Sequence, residues 1–245
     1  MCGLNPLLYT TLHISALETK GGSDAALFTR SGPQPPDFFS KTTRRLTLTT
    51  FSMNIWGTRA QNPWSTSELE RMLCVCTGIT ELSLTGDFLN PPVFRLVGHM
   101  RPTHLDLMGN LVRSFSSPYA DFALPLFQRV SHLYLCDIDD ELTSPWHHWA
   151  GLSRLPVLTH LAIARGDLVP TILATLPRLR VIVLYGEKLD PEEAHSWDQR
   201  VVVAEINSFW EDWHEGIGLW IRADAFLDRK QRGEVPESCY QLPAC

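Results

Sequence analysis

His104-Leu105-Asp106-Leu107-Met108-Gly109-Asn110 is the stretch on which the fold turns. Leucines at 105 and 107 flank a polar residue, the period-2 signature of a strand with one face buried. The same pair recurs as Leu46-Thr47-Leu48, Leu82-Ser83-Leu84, Leu133-Tyr134-Leu135, Leu161-Ala162-Ile163 and Ile182-Val183-Leu184, with looser members at Leu12-His13-Ile14 and Val201-Val202-Val203. Counting the last strand at Val202, the spacings are 34, 36, 23, 28, 28, 21 and about 20 residues. Ile79, Val130, Leu158 and Leu179 add a further apolar residue three positions upstream of four members. A period of this size holds one strand and one return segment. A single such unit cannot bury its apolar face, so neighbouring units must stack.

The return segments read as helices or short turns. Ser65-Thr66-Ser67-Glu68 is a capping box, and Leu69, Met72, Leu73 and Cys76 follow it at helical spacing, which predicts a helix over 65–76. Leu168, Ile172, Leu173 and Leu176 repeat the pattern behind Asp167 as a cap, and Asp190-Pro191-Glu192-Glu193 reads as a cap followed by proline in the first turn. Near the C-terminus, Leu219, Trp220, Ala223, Phe226 and Leu227 fall on one helical side, Arg222, Asp224, Asp228 and Arg229 fall largely on the other, and Gly233 is a stop signal.

Leu105 to Asn110 nearly completes the pattern L-x-x-L-x-L-x-x-N, and the chain resembles the leucine-rich-repeat family. Phe51, Asp87, Ile138, Gly166 and Glu187 occupy the asparagine position elsewhere, so the repeats are irregular. With Asn5-Pro6-Leu7-Leu8-Tyr9, Leu158-Thr159-His160-Leu161, Phe209-Trp210-Glu211-Asp212-Trp213, Trp220-Ile221-Arg222-Ala223-Asp224-Ala225-Phe226 and Arg229-Lys230-Gln231-Arg232-Gly233-Glu234, the whole resembles the divergent, F-box-like leucine-rich-repeat proteins of mushroom-forming fungi. The resemblance implies an α/β fold, an irregular leucine-rich-repeat solenoid with a curved parallel sheet and outer helices. The expected divisions are a solenoid over 1–206, a helical cap for its open end over 207–233, read from the amphipathic C-terminal helix, and a mobile tail over 234–245, read from Pro236 and Pro243. The resemblance also implies the target-binding part of an adaptor. Asn5-Pro6-Leu7-Leu8-Tyr9 stands where repeats would follow an F-box, so docking on a ubiquitin ligase is not expected.

Composition narrows the function classes. The 245 residues are 44% hydrophobic and 20% charged, a globular balance. No apolar run reaches the roughly 18 residues of a membrane span, and the opening Met1-Cys2-Gly3-Leu4-Asn5-Pro6 is not a secretory signal, so a cytoplasmic or nuclear protein is expected. Residues 1–186 carry 15 basic and 14 acidic side chains; residues 187–245 carry 6 and 13. No basic stripe of the kind that displaces counterions from phosphates occurs, which argues against nucleic acid. Cysteines 2, 74, 76, 136, 239 and 245 are expected to be reduced, and Cys74-Val75-Cys76 lacks zinc spacing.

Three constellations carry candidate chemistry. His104, His132 and His160 each precede the first leucine of a pair, 28 residues apart. Side-chain alternation sends them to the concave face with the neighbouring column Ser83, Asp106, Tyr134 and Ala162. A column spanning roughly 10 Å cannot close on one metal whose ligands all lie about 2 Å away. A mixed polar and aromatic patch suits protein recognition, so Glu81, His104, Asp106, His132, Tyr134 and His160 are the expected binding residues for a protein partner. Asp137-Ile138-Asp139-Asp140-Glu141 gathers oxygens suited to magnesium or calcium, but no phosphate cradle accompanies it, and turn or cap duty is the simpler account. Pro145-Trp146-His147-His148-Trp149 and His214 read as a packing stripe and a surface ion pair. No nucleophile, base and stabilising group assemble, so neither catalysis nor a cofactor is expected. The alternatives are a metal-dependent enzyme or metal-binding protein using the acidic cluster or the histidines, and an accessory role set by gene context.

Overall fold

A computed structural model describes residues 10–15, 37–50, 64–109, 121–137, 149–185, 197–204 and 218–243. The fold is α/β with parallel strands. The chain divides into two compact units, the first comprising Met1–Val130 and Asp137–Pro156, the second Ser131–Cys136 and Val157–Cys245.

In the first unit, β1 (Thr11–Ser15), β2 (Arg45–Thr49), β3 (Glu81–Thr85) and β4 (His104–Gly109) pair in chain order, all parallel. The register aligns Leu12, Leu46, Leu82 and Leu105, then Ile14, Leu48, Leu84 and Leu107. All eight are buried, as the alternation predicts. Among the described residues, three α-helices return the chain: α1 (Phe38–Thr42), α2 (Thr66–Leu73) and α3 (Pro91–Val97). The capping box forms: Ser65 Oγ accepts from the Glu68 backbone N–H, and Glu68 Oε2 accepts from the Ser65 N–H at 2.9 Å. Leu69, Met72, Leu73, Val93, Phe94 and Val97 supply the buried helix faces. At the end of the decisive stretch, Gly109 lies at φ +152°, and a Cβ there would come within 2.8 Å of Leu89. A side chain at 109 would meet both the backbone preference and that leucine. Asn110 lies outside the described residues.

The second unit contains β5 (His132–Asp137, Asp137 being shared out to the first unit), β6 (His160–Ile163), β7 (Val181–Tyr185) and β8 (Val201–Ala204), again parallel in chain order. α4 (Val169–Thr175) returns the chain between β6 and β7, and α5 (Gly218–Gln231) follows β8. Asp167 does not cap α4. It lies in a tight turn, Gly166–Leu168, paired with the Arg165 guanidinium at 2.7 Å, and Pro170 stands in the first turn of the helix. The β6, β7 and β8 residues are all buried, on both sides of the sheet. Strands covered on both faces read as near-continuous apolar runs, as Val181-Ile182-Val183-Leu184-Tyr185 does.

One device recurs where strands begin. The carbonyl before five of the strands accepts two successive N–H groups from the next strand's entrance: Thr10 from Arg44 and Arg45, Arg44 from Thr80 and Glu81, Thr80 from Thr103 and His104, Ser131 from Thr159 and His160, Thr159 from Arg180 and Val181. Thr80, Thr103 and Thr159 add hydroxyl donors to the same carbonyls. These threonines join successive repeats at the strand entrance by satisfying backbone groups.

Two expectations about the C-terminus are corrected. α5 does not cap the edge of the last strand; Leu219, Trp220, Ala223, Phe226 and Leu227 pack in one buried cluster with Tyr134, Ala162, Val183, Tyr185 and Val202. It therefore lies on a sheet face, the only way its wide apolar side reaches enough apolar surface. The edge is covered instead by the stretch expected to be a mobile tail. Val203 N–H donates to Tyr240 O at 2.8 Å and Leu242 N–H to Val203 O at 2.7 Å. Val235, Tyr240 and Leu242 are buried. Short covered edges of this kind satisfy backbone groups that would otherwise invite pairing. Among the described residues no helix is long and apolar enough to cross a membrane.

Candidate functional site

The side chains opposite the leucines define one face in each unit, and the expected binding residues divide between them. In the first unit the face is polar. Its entrance row is Thr11, Arg45, Glu81 and His104; its middle row is His13, Thr47, Ser83 and Asp106; its upper row includes Thr49, Thr85 and Met108. Thr85 Oγ1 donates to Thr49 Oγ1 at 2.6 Å, and both residues are buried. Glu81, His104 and Asp106 thus lie on adjacent strands of one face, as expected.

Charge on this face is imperfectly compensated. Arg45 Nε stands 3.9 Å from Glu81 Oε2, with 14% and 27% of the two side chains exposed, too distant for a hydrogen bond. Burial raises the Glu81 carboxyl above its ordinary value, against the pull of Arg45. Burial pushes the Asp106 carboxyl up to about 7, with Arg45 opposing and Glu81 adding to the rise. Beside Asp106 in register, Ser83 is 2% exposed and its Oγ has no hydrogen-bond partner among the described residues. His104 Nδ1 is held by Thr103 Oγ1 at 3.1 Å, which fixes the ring from its entrance side. Arg45 was the residue missed from sequence. Its signal was present, since it precedes the first leucine of its pair just as Glu81 and His104 do.

In the second unit the corresponding face is filled. His132 and His160 are register partners, and their rings stack at 4.0 Å with 15° between planes. Trp220 of α5 meets them edge-on at 5.4 and 5.8 Å. His160 Nε2 lies 3.2 Å from Asp224 Oδ1 of the same helix, and its Nδ1 lies 2.8 Å from Thr159 Oγ1. Burial holds the His160 imidazole below its ordinary pKa, with Asp224 pulling the other way and Arg180 reinforcing the fall. Tyr134 is 2% exposed and its phenol is pushed well above its ordinary value by burial and by Tyr185 beside it. Tyr185 donates to Leu135 O at 2.6 Å. His132, Tyr134 and His160 therefore do not form an open recognition patch. Tyr134 and His160 are interior, because α5 takes the place that sequence reasoning left for a partner. The signal that could have found this was the apolar run of β7 and β8, which leaves both sheet faces needing cover.

The metal alternatives gain no support here. Among the described residues no group of three or more His, Cys, Asp or Glu side chains is arranged to hold a metal ion. Residues 138–141, 145–148, 190–193 and 209–214 lie outside the described residues, so the acidic run, the paired histidines and His214 are not placed, and the side chain of Asp137 is not described. Trp149 is buried. Cys74, Cys76 and Cys239 form no disulfide among the described residues, and burial pushes Cys76 up to about 12, far from a reactive thiolate. No protein-family model, curated protein or solved structure matches the chain.

Proposed function

We propose that the chain is a non-catalytic protein-interaction module built of irregular leucine-rich repeats, with the polar face of β2–β4 as its recognition surface. One observation carries this reading: the same face is filled by the chain's own α5 in the second unit, whereas in the first it holds partly accessible Arg45, Glu81, His104 and Asp106. Ser83 Oγ is buried without a partner among the described residues, and burial disfavours the charge on Asp106; groups of this kind weaken the fold, so their presence favours a binding role. The mechanism is rigid presentation: parallel strands fix the spacing of side chains from successive repeats, and the partner meets several at once with little ordering cost. Resemblance to the fungal F-box-like repeat proteins supports the same class of function, target binding without chemistry.

A selection of random peptides on the folded chain tests it. Enriched peptides are expected to lose binding to the His104→Ala and Glu81→Gln variants and to keep it with Ile221→Ala, a change at a residue 58% exposed on α5. Peptides indifferent to both changes on β3 and β4 would place recognition elsewhere and sink the reading.

A further inference from the structure

We propose that the polar face of β2–β4 receives a basic side chain, a lysine ammonium or arginine guanidinium presented by a partner protein. This deepens the interaction reading and rests on it. Two carboxylates, Glu81 and Asp106, stand on adjacent strands of the face, against one guanidinium, Arg45, which is 3.9 Å from Glu81. Asp106 has neither a hydrogen bond nor an ion pair among the described residues, and the face carries one negative charge in excess when both acids are ionised. Ser83 is the second observation. Leu82 and Leu84 are buried on the opposite side, so the serine hydroxyl is aimed into the Asp106 face, 2% exposed and without a partner among the described residues. Buried hydroxyls are almost always satisfied, and this one is left to whatever enters.

The donor geometry selects an organic cation. A divalent metal needs at least three ligands converging at about 2 Å, which the described residues do not offer. Strands about 4.8 Å apart instead spread Glu81, Ser83 and Asp106 over a span suited to several N–H donors on one group. A guanidinium carries five in a planar fork and an ammonium three. Each N–H donates to a carboxylate or to the serine oxygen, and Arg45 on the neighbouring strand limits the site to one added positive charge.

The occupant also sets a pH response. Among the described residues, the titratable and charged groups on the same face as Asp106 are His13 on β1, Arg45 on β2, Glu81 on β3 and His104 on β4, and Arg45 and Glu81 act on its charge. As pH rises through about 7, Asp106 gives up its proton. That change favours a cation, so binding tightens from pH 6 to pH 8.

Calorimetric titration of the full chain with acetylated, amidated tetra-arginine, and separately with tetraglutamate, decides the matter. Tetra-arginine is expected to bind at pH 8 and to weaken at pH 6. Asp106→Asn should reduce the affinity about 30-fold, the scale of an unpaired half-buried charge, and flatten the pH response, with Glu81→Gln as the second variant should the first fail to fold. Asp121→Asn, the same charge change at an exposed position, should leave affinity nearly unchanged. Equal losses in Asp106→Asn and Asp121→Asn would reduce the effect to net charge and overturn the site. Absence of tetra-arginine binding would overturn it outright. Tetraglutamate binding that depends on His104 would replace the cation with an anion while leaving the interaction reading standing; only peptide selection indifferent to the face removes both.

Discussion

Thr47, Ser83 and Asp106 in the first unit stand at the strand position that Tyr134, Ala162, Val183 and Val202 occupy in the second. The strand geometry is shared, parallel and in chain order in both, and the leucines on the opposite side are interchangeable. Only the character of the middle row differs. Where it is apolar, α5 lies on it and contributes Trp220, Phe226 and Leu227 to one continuous core. Where it is polar, no described helix does so. A repeat therefore specifies its fold with one set of alternating residues and leaves the other set free either to complete a core or to remain a surface for recognition.

Exchanging the middle-row residues is the severest way to break that comparison. Ala162 is fully buried beneath α5, so Ala162→Asp places a carboxylate where no cation waits. The cost is expected to be about 3–5 kcal/mol, the scale of an uncompensated buried charge. Asp106→Ala removes a carboxylate that burial already disfavours, and is expected to lose less than about 1 kcal/mol or to gain stability at pH 8. Urea unfolding of both variants checks the contrast. Equal destabilisation would mean that the two faces are packed alike and that their difference in character has no energetic meaning.

How far the sequence could be read follows the same division. Leu46, Leu48, Leu82, Leu84, Leu105 and Leu107 were legible because alternation of buried and unburied residues is a local property of a strand. The Ser65 capping box was legible because all its partners lie within four residues. The docking of α5 was not, since the contact between Trp220 and His132 joins residues 88 positions apart, and one helix with a wide apolar side suits an edge or a face equally well. His160 shows the consequence. Its repeated spacing was read correctly as a shared face with His132, yet its accessibility depended on a helix 60 residues downstream. The threonine ladder at the strand entrances escaped for a different reason. Thr80, Thr103 and Thr159 act through hydroxyls on backbone carbonyls of the preceding repeat, a role that the asparagine position of the repeat pattern does not signal.

A pH series sharpens the comparison at smaller energies, because the two faces respond with opposite sign. Asp106 has a folded pKa raised from 3.8 to about 7. Its contribution to stability is complete below about pH 4 and is lost as pH rises through about 7, since the unfolded chain gives up that proton more readily. The ceiling is on the order of 4 kcal/mol, and solvent reaching the side chain reduces it to roughly 1–3 kcal/mol. His160 has a folded pKa lowered from 6.5. Its contribution is present above about pH 6.5 and is lost as pH falls through the folded value, because the unfolded chain takes up the proton first. Hydrogen exchange followed by mass spectrometry between pH 5 and pH 8, corrected for intrinsic exchange, is expected to show β2–β4 gaining protection toward acid while β6 and α5 lose it. Parallel changes in both units would contradict these assignments, and persistence of the first trend in Asp106→Asn would remove that residue as its source.

The finest distinction lies between two hydroxyls. Tyr185 on the apolar face donates to Leu135 O at 2.6 Å in a buried setting, so Tyr185→Phe leaves a carbonyl without that donor and is expected to cost about 1 kcal/mol. Ser83 on the polar face is buried with its Oγ unpartnered among the described residues. Ser83→Ala then removes a group whose desolvation is not repaid, and stability is expected to stay within about 0.5 kcal/mol or to rise by up to about 1 kcal/mol. The two substitutions each delete a single oxygen, so chemical denaturation with matched slopes compares them directly. A loss at Ser83 as large as that at Tyr185 would mean that the serine is satisfied within the fold, and the first face would then be as self-sufficient as the second. A gain at Ser83, together with weaker binding of tetra-arginine by the same variant, would show a hydroxyl kept at the expense of stability for the sake of a ligand.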